Sequence, residues 1–314
     1  MGARVALIGS GYMAEQYLLA ATSLQQIEVV GIAGRNLLTA RKLADDFLIK
    51  SVSNDPQDLI ANLMPDLILV CVSELSTEEV LGSLFHFQIP IVVEKPVGLS
   101  LEQALRIEAR ACEAGCPVYV ALNRRMYSST KQVMDAVESS IGNRFVRIID
   151  QENQIAARNS GQPDQVVASW MFANSIHLID YIRFVCRGDV TSISRMIHSL
   201  SSDGWVIVSQ IDFSSGDKAL YTCYWNTPAR WSVDISIGDR LWQLAPLESA
   251  RVFTMNSLTP TEFLIDSKDI DAKPGIIGVL EETLNLLNGL PSTLCSISNA
   301  NETMTLIESI YAVD

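Results

Sequence analysis

Val5-Ala6-Leu7-Ile8-Gly9-Ser10-Gly11-Tyr12-Met13-Ala14 runs from a short apolar segment through a glycine turn into an amphipathic stretch, 13–24. Each small residue has a separate task. Gly9 permits the tight turn, Gly11 lets a pyrophosphate approach the backbone, and Ala14 lets the helix pack closely on the strand. The unpaired N–H groups of the first helical turn then face the phosphates. The pattern Gly9, Gly11, Ala14 predicts a dinucleotide loop formed by Gly9, Ser10, Gly11, Tyr12, Met13 and Ala14. The competing ligand for such a loop is another nucleotide-type molecule such as S-adenosylmethionine.

Outward from this stretch, apolar runs recur at 5–8, 29–33, 67–72, 89–93 and 118–122. They are short, rich in Val and Ile, and lack a polar face, as expected of parallel strands buried on both sides. Amphipathic stretches of helical length separate them, at 13–24, 39–47, 77–87 and 101–114. Asp55 and Ser100 stand at N-cap positions, and Gly115 follows a helix end before Pro117. Strands alternating with helices give βαβ units. Residues 1–122 are therefore expected to form a Rossmann domain with a doubly wound parallel sheet.

The pattern changes at about Asn123. A helical segment, 129–139, ends at Ile141-Gly142, and an extended run, 144–153, leads into an aperiodic polar stretch, 154–165. The apolar segment 166–186 reads as one buried helix. Strand candidates follow at 190–198, 205–213, 219–225, 231–237, 241–245 and 251–255, with turn signals at 214–217 and 238–239. Two helices, 276–288 and 298–312, close the chain. Residues 123–314 are expected to form a second α/β domain with an open-faced, largely antiparallel sheet. It is assigned to substrate binding and self-association.

The 314 residues suit about two domains, and 48% of them are hydrophobic. A net charge of −13 with scattered basic residues repels polyphosphate backbones, so nucleic acid is not an expected partner. No apolar run reaches the ~20 residues needed to span a bilayer, and the start at Met1 lacks a cleavage site, so neither membrane nor export is expected. Six cysteines show no CxxC pair; Cys112 and Cys116, one turn apart, have no second pair. No metal is expected, and reduced thiols agree with a cytoplasmic protein.

Two further places bear on chemistry. The tip of the second strand reads Ala33-Gly34-Arg35-Asn36, with no carboxylate for an adenine ribose. Arg35 can pair with a 2′-phosphate, which favours NADP(H) over NAD(H) while leaving NAD(H) open. Glu94-Lys95-Pro96 ends the fifth strand candidate, at the carboxyl edge where ligands bind, and places Lys95 by a nicotinamide. A cis Lys95–Pro96 bond would aim the lysine into the cleft.

The glycine loop, Glu94-Lys95-Pro96 and the later Asn174-Ser-Ile-His177-Leu-Ile-Asp180 together resemble the glucose–fructose oxidoreductase/inositol dehydrogenase (Gfo/Idh/MocA) family. The likeness extends to Ile141-Gly142 and to Pro274-Gly275. The resemblance implies a pyridine-nucleotide enzyme acting on hydroxyl or keto groups of sugars, nucleotide sugars and polyols. It implies Glu94 and Lys95 beside the cofactor, Lys95 at the substrate hydroxyl, and His177 as the acid/base with Asp180 one helical turn away. Arg124, Arg125 and Asn174 are implied near the substrate, although Arg124 and Arg125 suit a salt bridge equally well. The second domain of the family often forms oligomers, so a homodimer or homotetramer is expected.

One departure bears on activity. The family often carries an aspartate four residues before this histidine, where the present sequence has Ala173. A second reading is therefore a cofactor-binding regulatory or sensor protein without catalysis. A methyltransferase is disfavoured by the hairpin-rich second half. His86 and His198 stand in contexts that suggest structural or exposed roles.

Overall fold

The computed structural model describes residues 2–312. Met1 and residues 313–314, at the outer ends of the two sequence-assigned domains, lie outside the described residues. The chain divides into two compact units. The first holds the residues up to Asn123 together with Asp271–Asn301; the second holds Arg124–Ile270 and the chain from Glu302 onward.

In the first unit, β1 (Ala3–Ile8), α1 (Tyr12–Thr22), β2 (Ile27–Ala33), α2 (Leu37–Asp46), β3 (Ser51–Ser53) and α3 (Pro56–Leu63) follow in order. Then come β4 (Leu67–Val70), α4 (Thr77–Leu84), β5 (Ile91–Glu94), α5 (Leu101–Ala114) and β6 (Val118–Ala121). All six strands are parallel, in the spatial order β3-β2-β1-β4-β5-β6. Every residue of β4 is buried, the consequence of helices covering both faces. Local chemistry sets the helix ends. Asp55 accepts from the backbone N–H groups of Gln57 and Asp58, Ser100 from that of Gln103, and Gly115 closes α5 in a left-handed conformation.

The second unit starts with α6 (Ser128–Glu138) and β7 (Phe145–Glu152), followed by α7 (Gln154–Asn159), α8 (Asp164–Ala168) and α9 (Ile176–Val185). Strands β8 (Val190–Ser199), β9 (Trp205–Phe213), β10 (Lys218–Trp225), β11 (Ser232–Ile237), β12 (Arg240–Leu244), β13 (Ala250–Thr254) and β14 (Thr261–Glu262) come next, then the short α10 (Lys268–Asp271). They form one sheet, β14-β13-β12-β11-β7-β10-β9-β8, antiparallel except where β10 runs parallel to β7. Val146, Ile148, Asp150 and Glu152 of β7 point to the buried face, against which α9 packs. Arg147 and Ile149 point to the other. Trp205 and Trp225, register partners on β9 and β10, stack at 5.1 Å.

The chain then returns to the first unit through α11 (Ile276–Leu287), which packs on α1, and β15 (Cys295–Ser296). β15 pairs antiparallel with β6 and so covers the outer edge of the first sheet. The last helix, α12 (Ile297–Tyr311), continues into the second unit. The sequence reading kept 271–301 in the second domain, because nothing in composition separates it from what precedes it. Among the described residues no helix is long and apolar enough to cross a membrane.

Two sequence expectations change here. The single helix expected over 166–186 is three pieces: α8, a turn of π-helix at Met171–Ser175, and α9. The polar stretch 154–165 is not aperiodic coil but holds α7, whose N-cap Asn153 accepts from the N–H of Ala156.

Candidate active site

The carboxyl ends of β1, β2, β4 and β5 share one edge of the first sheet. Connections leave β1 and β4 in opposite directions, and such a switch point opens a crevice in a doubly wound sheet. Gly9 sits at that point with φ +123°, and a Cβ there would lie 2.1 Å from the carbonyl oxygen of Cys71. Only glycine fits. Gly11 is the opposite case: a Cβ on it would meet no atom within 4 Å. It is the N-cap of α1 and offers no side-chain cap, so the first-turn N–H groups are open to an anion. The loop thus fits a pyrophosphate.

The neighbouring predicted residues take varied places. Ala14 is fully buried under the loop, Met13 is half-buried, and Tyr12 is exposed with the Lys273 ammonium 5.1 Å from its ring centre. Ser10 packs at Gly34, where an added Cβ would come within 2.8 Å of its Oγ. Arg35 is exposed and directly precedes Asn36, the N-cap of α2. Glu94 accepts a 2.9 Å hydrogen bond from the Tyr17 hydroxyl. Burial raises its carboxyl above the usual range, against the pull of Lys95, Tyr17 and Lys273. Lys95 is half-buried at the end of β5, about 10 Å across the sheet from β1, and the Lys95–Pro96 bond is cis.

In the second unit, His177 lies in the first turn of α9 and is 4% exposed. The π turn before it directs Asn174 and Ser175 onto one acceptor, Glu152. Asn174 Nδ2 donates to Glu152 Oε2 at 2.8 Å, Trp170 Nε1 to the same oxygen at 2.6 Å, and Ser175 Oγ to Oε1 at 3.0 Å. Single π turns recur at functional sites, where they re-aim side chains. Glu152 is fully buried, and Asp150 is its neighbour two residues earlier on the same face of β7. Burial, then the Asp150 charge, holds the Glu152 carboxyl well above the usual range. Asp150 is also raised by burial, and accepts from the Tyr221 hydroxyl at 2.7 Å. A cavity of about 500 Å³ opens beside Glu152, Trp170 and Asn174.

Asp180 and Arg125 are brought together. The Arg125 guanidinium donates to both Asp180 oxygens at 2.7 and 2.6 Å, both side chains are buried, and Thr303 donates to Asp180 at 3.0 Å. The sequence reading left Asp180 to fix His177 or reach substrate, and Arg125 to touch substrate or form a salt bridge; in the structure the two residues form a salt bridge with each other. Arg124 lies over the Trp231 ring at 5.0 Å. His86 and His198 are exposed. Among the described residues no group of three or more His, Cys, Asp or Glu is arranged to hold a metal.

Sequence reasoning passed over Glu152 and Asp150. Their signal was present: two acids occupy the inward phase of an alternating strand whose other members, Val146 and Ile148, are aliphatic.

Residues 3–122 match the profile of the oxidoreductase family described as an NAD-binding Rossmann fold, Gfo/Idh/MocA. Over that stretch, about two-fifths of its length, the chain is similar to the Gfo/Idh/MocA oxidoreductase family. An inositol 2-dehydrogenase of Mycolicibacterium gilvum is 26% identical over 207 residues, covering 64% of this chain. A myo-inositol 2-dehydrogenase of Thermotoga maritima is 25% identical over 182 residues, covering 56%. The chain spans 57% and 51% of these two relatives' own lengths. The fold is shared more widely. A crystal structure of an oxidoreductase from Agrobacterium radiobacter in complex with NAD+, L-tartaric acid and magnesium superposes with a TM-score of 0.80 at 18% identity. That alignment covers 99% of this chain and 96% of that one. That structure shares the two-sheet fold seen here, a parallel Rossmann sheet and a mostly antiparallel one.

Proposed function

We propose that this protein is a nicotinamide-dependent oxidoreductase acting on a CH–OH or keto group of a sugar, nucleotide sugar or polyol. The observation that carries the reading is the contrast within the loop: Gly9 locked against Cys71, Gly11 open above α1. A buried packing turn would not leave that space. The relatives named for inositol oxidation and the NAD+ complex of a neighbour point the same way.

When bound, the nicotinamide supplies the site that gains or gives up the carbinol hydride. The chain's own part is proton and charge. His177 takes the hydroxyl proton as the carbon–hydrogen bond breaks, leaving a carbonyl; in reduction it returns the proton. The Lys95 ammonium steadies the alkoxide charge. Asn174, held by Glu152, offers the substrate an oriented amide. Arg35 favours a cofactor with a 2′-phosphate, so NADP(H) is the preferred form in this reading. We place the protein in the cytoplasm, given its six free thiols, and as a self-associating chain.

Lys95→Ala and His177→Ala should each lower kcat by at least about a hundredfold while NADPH affinity stays within a few fold. Retained turnover in both would refute these roles. Arg35→Ala should weaken NADPH and leave NADH unchanged. Ala173, buried where the resemblance drawn from the sequence implies an aspartate, favours a second reading in which cofactor binds without turnover. In that case neither variant changes anything measurable across a polyol and sugar screen.

A further inference from the structure

The outward face of the second sheet carries a cavity of about 910 Å³ built within one unit. Arg124, Arg147, Arg230 and Arg251 line it, with Glu248 as its acid. This concentration of guanidinium stands out in a chain of net charge −13. Four of the relevant side chains are fixed by strand register. Asp234 of β11 is the direct partner of Arg147 on β7, Gln243 of β12 of Asp234, and Arg251 of β13 of Gln243. The row is hydrogen-bonded throughout: Arg147 donates to Asp234, Gln243 Nε2 donates to Asp234 at 2.8 Å, and Arg251 Nε donates to Gln243 Oε1 at 2.9 Å.

That order has an electrostatic result. Asp234 neutralises Arg147, but Arg251 is held by a neutral amide and keeps its full charge. Its Nη1 has no hydrogen bond among the described residues, and Arg230 has no carboxylate partner among them. Arg230 and Arg251 thus bring two positive charges to the cavity with no carboxylate partner among the described residues. Trp231 supplies an apolar wall, fixed by its Nε1 donating to the Gln151 carbonyl at 3.1 Å. The same indole also borders the cavity beside Glu152 and Asn174. A volume of this size holds a ligand of drug-like dimensions, and guanidinium forks match planar or tetrahedral oxyanions.

We infer that this basic cavity binds a small dianionic group, phosphoryl or carboxylate, carried by the ligand whose polar end meets Asn174 past Trp231. Naming that ligand the substrate rests on the oxidoreductase reading; the anion site itself does not. Calorimetric titration of the full chain with pyrophosphate, and separately with citrate, tests it. At low salt one or both should bind, and binding should weaken as sodium chloride rises. Arg230→Ala and Arg251→Ala should each weaken it about tenfold. Both residues are at least partly exposed, and an unchanged melting temperature would confirm that the variants fold. A preference for pyrophosphate identifies a phosphoryl substituent, a preference for citrate a carboxylate. No binding of either anion, or binding that the double variant leaves intact, would overturn the inference. NADPH affinity, measured on the same samples, reports separately on the Rossmann loop, so failure of the anion site and failure of the oxidoreductase reading are told apart.

Discussion

Arg125 and Asp180 form a buried, two-pronged ion pair inside the second unit, with Nε and Nη2 donating to the two carboxylate oxygens at 2.7 and 2.6 Å. Removing one member leaves a buried charge without its partner, whereas replacing both with apolar groups removes the problem. Asp180→Ala should therefore cost about 3–5 kcal/mol of unfolding free energy. Arg125→Met with Asp180→Leu should recover most of that loss. Urea denaturation of the two variants decides the matter; equal loss in both would mean that the pair holds something more specific than stability.

Glu152 supplies a pH signature. Its folded-state pKa is raised, chiefly by burial and then by Asp150, so the folded protein favours the protonated carboxyl. The associated stability is complete below the unfolded value of about 4.3 and declines as pH rises through the folded value. Melting temperature should accordingly fall with rising pH on the alkaline side of the usual carboxylate range. Glu152→Gln should flatten that limb, while Glu152→Ala, which removes the acceptor for Trp170, Asn174 and Ser175, should lower stability at every pH. An unaltered profile in the glutamine variant would show that Glu152 is not the titrating group.

The two loop glycines should separate folding from binding. Gly9→Ala forces a methyl onto the Cys71 carbonyl at a positive φ and should destabilise the fold by on the order of 3 kcal/mol. Gly11→Ala meets no protein atom, so its melting temperature should match the parent while NADPH affinity falls at least about tenfold. Tight cofactor binding by Gly11→Ala would remove the pyrophosphate from this loop.

β8 is ten residues long, lies at the edge of its sheet and exposes Met196 and Ile197 by about three-fifths. Exposed apolar edges of this kind pair with other chains unless something covers them. Light scattering should give at least a dimer mass, and Met196→Lys with Ile197→Lys should shift it toward the monomer. A monomeric parent would contradict self-association.

Much of the first unit was legible because its signals are local and redundant. β1, the glycine turn and α1 each carry their own pattern. α5 spans 101–114 as read, with Ser100 and Gly115 at its ends. β9 likewise spans 205–213. The π turn was not legible, since 166–186 is predominantly apolar and a shift in hydrogen-bond register leaves no mark on composition. α3 escaped because eight residues behind Asp55-Pro56 are too few to show a period. At the site, residue types pointed to Lys95 and His177, but the pairing of Arg125 with Asp180 joins positions 55 residues apart and depends on tertiary packing.

β15 lends β6 its missing neighbour from about 175 residues downstream, pairing Cys295 with Val120 and Ser296 with Tyr119. The chain passes between the units at 123–124, 270–271 and 301–302. A fragment cut after residue 122 would keep the glycine loop but lose α11 from α1, and would bare the N–H and C=O groups along the outer side of β6. Such an edge invites pairing between molecules. The stretch that the family profile marks out is therefore narrower than the piece of polypeptide able to stand by itself.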